Sequence, residues 1–181
     1  MKATIALIMA VAISSCSKAD LTPYAANKPE FDVYSYFAGK TTGWGQVQNR
    51  SGELIRRFVV DIEGVTNDDG SLVLHEEFSW SDGERSSRVW TIHRDGENGY
   101  VATAGDVSGM AVGRSSGNVL NWRYYLDIDV SGSTWKVHLD DWMYLHPNQI
   151  LINKSQMSKF GVRLGEITIA FSKLQQGGDQ P

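Results

Sequence analysis

Apolar and polar residues alternate with a period of two over much of the chain. Phe58, Val60 and Ile62 interleave with Arg57, Val59 and Asp61, and Trp122, Tyr124, Leu126, Ile128 and Val130 interleave with Arg123, Tyr125, Asp127 and Asp129. That spacing predicts strands with one face buried and one face wet. Glycine-bearing polar clusters divide the strands at short intervals: Asn49-Arg50-Ser51-Gly52, Asn67-Asp68-Asp69-Gly70, Ser81-Asp82-Gly83, Asp95-Gly96-Glu97-Asn98, Ser115-Ser116-Gly117-Asn118 and Ser131-Gly132-Ser133, followed by Pro147-Asn148. Such spacing fits a sandwich or a barrel. Three of the four prolines, Pro23, Pro29 and Pro181, lie near the ends, which leaves the body of the chain its backbone donors. Taken as a two-residue hairpin turn, Asp82-Gly83 sets Glu77 opposite Arg88, Phe78 opposite Ser87 and His75 opposite Trp90. A short turn of helix is expected over 153–160, and no long amphipathic helix is found. Consecutive hairpins predict an all-β, mostly antiparallel up-and-down barrel of about eight to ten strands, closed because closure removes exposed edges.

The start of the chain has a different pattern. Lys2 precedes an apolar run over 3–13, interrupted only by Thr4, and Ile13-Ser14-Ser15-Cys16 follows. The run is too short to cross a bilayer as a helix, since eleven residues rise roughly 16 Å against a hydrocarbon core of about 30 Å. It has the outline of an export signal, and the four residues after it resemble a bacterial lipobox, in which the cysteine thiol takes diacylglycerol and the new amino terminus is acylated. Expected divisions are a signal peptide over 1–15, lipidated Cys16 and a tether over 16–30, one domain over 31–174, and a tail over 175–181. By resemblance to lipoprotein sorting, Ser17 after the cysteine implies an outer-membrane lipoprotein facing the periplasm. Cys16 is the only cysteine, so no internal disulfide can form and the core alone must hold the fold.

Composition narrows the partners. In 181 residues charged side chains make up 21%, with both signs scattered and a net charge of -4, so nucleic acid is excluded as a partner for want of a basic stripe. Six Trp, seven Tyr and six Phe could line a cavity or fill a core. The expected partners are a membrane, through the N-terminal anchor, and a lipid or other small hydrophobic ligand.

A series of motifs carries a resemblance: Phe37-Ala38-Gly39, Gly43-Trp44-Gly45, Arg56-Arg57-Phe58, Asp106-Val107-Ser108-Gly109, and above all Asp140-Asp141-Trp142-Met143-Tyr144 and Met157-Ser158-Lys159-Phe160-Gly161. With the lipobox, this series resembles domain-of-unknown-function family 3833 of proteobacterial lipoproteins across essentially the whole mature chain. The resemblance implies an exported lipoprotein without an established activity, whose relatives are encoded near lipid-modifying enzymes. Gly43-Trp44-Gly45 also resembles the Gly-x-Trp signature of lipocalins, which implies a lipocalin-like (calycin-type) barrel.

The segment 135–146 is the most informative for chemistry. One face carries Trp135, Val137, Leu139, Asp141, Met143 and Leu145; the other carries Lys136, His138, Asp140, Trp142, Tyr144 and His146. Asp141 is thus a carboxylate on an apolar face, and it must find an inward arginine, backbone amides, a proton, water or a ligand. The candidate ligand-binding set is Trp44, Arg88, Trp90, Trp122, Tyr124, Asp141 and Met143. Other sites are disfavoured. His138, Asp140 and His146 lack the spacing of a metal site. His75 or His93 as a haem ligand would have to enter the barrel from strands rich in charge and hydroxyls. There is no Gly-x-Ser-x-Gly elbow, and Gly105-Asp106, Gly109 and Gly113 lack the lysine of a phosphate loop, so they mark bends or close strand approach. No cofactor and no metal is expected. A non-catalytic binder is therefore favoured, with two alternatives: an envelope enzyme acting on lipids through Asp140 or Asp141 near Arg88 or His138, or a protein-interaction module.

Overall fold

The computed structural model describes residues 19–173. Cys16, the export segment and the tail lie outside the described residues. Ten strands follow in order: β1 (Gly39–Asn49), β2 (Leu54–Thr66), β3 (Leu72–Trp80), β4 (Arg85–Arg94), β5 (Gly99–Ala104), β6 (Ala111–Ser116), β7 (Val119–Val130), β8 (Ser133–Leu145), β9 (Ile150–Lys159) and β10 (Val162–Ser172). Each pairs antiparallel with the next, and β1 pairs with β10, Trp44 standing opposite Ala170, so the sheet closes into an up-and-down barrel. Closure gives every strand a neighbour on both sides, so no strand is an edge strand.

One end of the barrel is plugged. Helix α1 (Val33–Phe37) is a single turn capped by Asp32, whose carboxylate accepts from the Ser35 amide at 2.8 Å. Phe37 meets Phe171 edge to face, their rings 5.8 Å apart, and the Tyr36 hydroxyl donates to the Gln149 carbonyl at 2.9 Å. β2 must pass directly under the end of this helix. A Cβ on Gly64 would stand 1.9 Å from the Phe37 carbonyl oxygen, so only glycine fits there. At this end the inward residues, including Val60, Ile62, Leu74 and Leu151, are buried. At the other end the inward Val47, Trp80, Ile128, Met157 and Ile167 are only half-buried, and the barrel opens there.

Two local expectations are corrected. The β3–β4 hairpin turns through three residues rather than two: the Gly83 amide donates to the Trp80 carbonyl, the Trp80 amide donates to the Glu84 carbonyl, each at 3.0 Å, and Gly83 takes φ +90°. A type I turn closed by a glycine bulge has this geometry. The added residue shifts the register by one, so Arg88 pairs with Glu76, Glu77 with Ser87, Phe78 with Ser86 and His75 with Val89. The second correction concerns 153–160, which is strand rather than helix. Its inward positions include Asn153 and Ser155, and these polar residues mask the period of two.

From residue 19 on, the expected tether is laid against the wall at the plugged end. A 3-10 turn (Thr22–Tyr24) sets the Tyr24 ring 6.3 Å from Trp142 and 6.4 Å from Tyr144, on the outer face of β8. Further along, the Phe31 amide donates to the Gly117 carbonyl at 2.7 Å.

Candidate functional site

The alternation of every strand directs one set of side chains to the barrel axis, and between them lies a cavity of about 490 Å³. Its wall is mainly apolar, with Phe58, Val60, Leu74, Trp122, Leu139 and Ile169 among the lining residues. This volume is within the range of roughly 300–1,000 Å³ typical of small-ligand sites. Trp122 reaches its place because Gly113 faces it across the β6–β7 pair; a Cβ there would stand 2.6 Å from the indole.

A polar band crosses this apolar wall. Arg88 on β4 donates through Nε at 2.9 Å and Nη2 at 2.6 Å to one carboxylate oxygen of Asp106, and its Nη1 lies 3.9 Å from Glu76 on β3. The guanidinium also lies near two aromatic faces, 5.7 Å from the Phe78 centroid and 5.8 Å from that of Trp90. On β7, the Tyr124 hydroxyl donates to Asp141 Oδ2 at 3.0 Å, and the Tyr124 ring meets Trp90 edge to face. Asp141 is 6% exposed, and its Oδ1 has no hydrogen-bond partner. Ser155 Oγ, directly across the β8–β9 pair from Asp141, and Asn153 Nδ2, two residues along the same face, are buried and unpartnered too. Burial raises the Asp141 carboxyl to about 6, against the pull of the nearby Ser155 and Tyr124 hydroxyls and of Arg88. Burial likewise raises Glu76 to about 7, although Arg88 opposes it.

Six of the seven sequence candidates, Arg88, Trp90, Trp122, Tyr124, Asp141 and Met143, line this cavity. Trp44 does not. It stands 50% exposed on the outer face, and its flanking glycines point inward instead. A Cβ on Gly45 would lie 2.1 Å from the Phe58 ring and one on Gly43 would lie 2.7 Å from the Phe171 ring, so the motif makes room for two phenylalanines and faces its indole to solvent. Asp140 also lies on the outer face, accepting from Asn121 Nδ2 at 2.6 Å and Arg123 Nε at 3.4 Å, which removes it from any chemistry in the barrel. His75, His93 and His146 are exposed, and His138 packs outside against Tyr125, so among the described residues no imidazole lines the cavity. The haem geometry considered for His75 or His93 is therefore not formed.

Glu76, Asp106, Asn153 and Ser155 were missed. Glu76 carried a signal, because Leu72, Leu74, Glu76, Phe78 and Trp80 alternate just as the face of Asp141 does. Asp106 lies in a glycine-rich bend with no periodicity to reveal its direction.

The profile of a family described as proteins of unknown function, DUF3833, matches residues 10–173. The chain belongs to this family. No curated protein matches this DUF3833 chain. Among solved structures it is similar to the S-type phycobiliprotein lyase CPES from Guillardia theta, with a TM-score of 0.55 and 10% identity, covering 90% of this chain and 100% of the lyase. At that identity the likeness is one of fold, a lipocalin-like barrel shared with this DUF3833 protein.

Proposed function

We propose that this DUF3833 protein is an outer-membrane lipoprotein, anchored through Cys16, which holds a lipid or other small hydrophobic ligand in its barrel without transforming it. The observation that carries this reading is the apolar cavity of about 490 Å³, open at one end and plugged by α1 at the other. Burial of apolar ligand surface there yields about 25 cal/mol per Å². The phycobiliprotein lyase supports the reading by analogy, as a protein of similar fold whose name ties it to phycobiliproteins. The lipobox and Ser17 support the anchor and its destination.

A second reading, an enzyme acting on lipids, is favoured by one observation: Asp141 is a carboxylate with a raised pKa inside a cleft. In that reading Asp141 is the base and Tyr124 orients it. Asp140 takes no part.

The test is to isolate the chain from a bacterial envelope, unchanged and as Cys16→Ser, and to measure bound small molecules by native mass spectrometry and organic extraction. Expected are loss of membrane association in the variant and a stoichiometric apolar molecule in both forms. A uniformly empty protein that also fails to take up an apolar fluorophore would overturn the binder.

A further inference from the structure

The polar band inside the cavity has a composition that selects among hydrophobic ligands. It contains three carboxylates, Glu76, Asp106 and Asp141, and one guanidinium, Arg88, whose charge Asp106 already balances at hydrogen-bond distance. Arg56, nearer the mouth, is ion-paired too, its Nη2 donating to Asp82 at 2.7 Å and Glu84 at 2.8 Å, while its buried Nε has no partner. An acid head group entering this cavity would therefore meet excess negative charge and no lining guanidinium without a carboxylate partner of its own. Three oxygens of the band, Asp141 Oδ1, Ser155 Oγ across the strand pair from it, and Asp106 Oδ1, are buried without hydrogen-bond partners. An incoming donor gains most at such unsatisfied buried acceptors, and since Asp106 already holds the Arg88 guanidinium, Asp141 with Ser155 is the pair left to receive a cation.

Resting on the binding role proposed above, we propose that the β8–β9 wall at Asp141 and Ser155 receives the ammonium head of an amphipathic amine, whose apolar chain lies along Trp122, Leu139 and Phe58. The ammonium donates to Asp141 Oδ1 and to Ser155 Oγ, and its charge offsets the surplus of the band. The groups that face Asp141 are Tyr124 from β7, Ser155 from β9, Arg88 from β4, Glu76 from β3 and Asp106 from the β5–β6 loop, with Asp140 beside it on β8. Of these, Glu76 and Asp141 lose their protons between pH 5 and 8, so the site becomes more negative over that interval. An amine binds more tightly as it does so, and an acid less tightly.

The probes are dodecylamine, dodecanol and dodecanoate, each added below its aggregation limit to the full chain and measured by calorimetry and by displacement of an apolar fluorophore from a single cavity site. At pH 8 the amine should bind at least about tenfold more tightly than the acid, the scale of one favourable against one unfavourable charge contact. At pH 5 the ratio should shrink, and Asp141→Asn should remove most of it at pH 8. Glu76→Gln should reduce it in part, which provides a second variant should Asp141→Asn fold poorly. Dodecanoate binding as tightly as the amine at pH 8 overturns this inference and leaves the binder standing. If none of the three displaces the fluorophore, the binder falls and the amine site falls with it.

Discussion

Gly45 shows how little space single residues leave in this wall. Its α-carbon faces the Phe58 ring so closely that Gly45→Ala must push the ring toward the cavity. Such overpacking costs about 1–3 kcal/mol, which chemical denaturation would read, and the same variant should lower the capacity for apolar ligands. Glu76 permits a signed prediction. Its folded carboxyl is raised from 4.5 to about 7, so between those values the folded protein holds more protons than the unfolded chain, and stability falls as pH rises through that window. Asp141 acts in the same direction between 3.8 and about 6. Glu76→Gln should flatten the loss across pH 5–7, an effect of the order of a few kcal/mol, and equal slopes in both proteins would refute it. At this scale the sequence was legible where alternation was clean. Asp141, Tyr124 and Trp122 fell on the inward face by period alone, whereas Trp44 was misplaced because the residues facing inward beside it have no side chain.

Hairpins show what a register error costs in interpretation. The extra loop residue at Gly83 exchanged Glu77 for Glu76 as the partner of Arg88, and with it moved the cross-strand pair from the surface to the cavity. Strand positions were readable, but the turn type was not, since a Ser-Asp-Gly sequence suits both loop lengths. β9 was obscured because Asn153 and Ser155, buried on its inward face, break the apolar pattern. Another turn carries a residue that folding alone would not choose. Phe160 closes the β9–β10 hairpin with φ +51°, is 94% exposed, and is followed by Gly161 at φ +78°. The left-handed region favours asparagine or glycine at such a position. Phe160→Asn should therefore stabilise the protein by about 0.5–1 kcal/mol, raising the thermal midpoint by a few degrees. A drop in the midpoint would show that the ring packs on something in solution.

For the whole molecule, up-and-down connectivity and closure followed from the regular succession of turns, because antiparallel neighbours joined by short loops have few other ways to bury one face. The plug was not legible. α1 is a five-residue turn, too short to show a helical period, and its role depends on Gly64 leaving room under Phe37. Nor could the sequence reveal that the cavity is unfilled, since a tryptophan lining a void and one filling a core have the same spacing.

The position of Tyr24 gives the barrel a direction. The chain enters at the plugged end, where Tyr24 rests on Trp142 and Tyr144. Between Cys16 and Thr22 the backbone can extend by at most roughly 20 Å, less than the roughly 30 Å that tilted strands of this length give the barrel. A molecule moored at Cys16 would therefore sit with its base toward its own membrane and its mouth toward the far side of the compartment. Leu54, Ile55, Trp135 and Phe160, all exposed at the hairpins around the mouth, would look outward with it. Cargo would then be exchanged with whatever approaches from across that space, and the bilayer holding the anchor would not be the one the mouth touches.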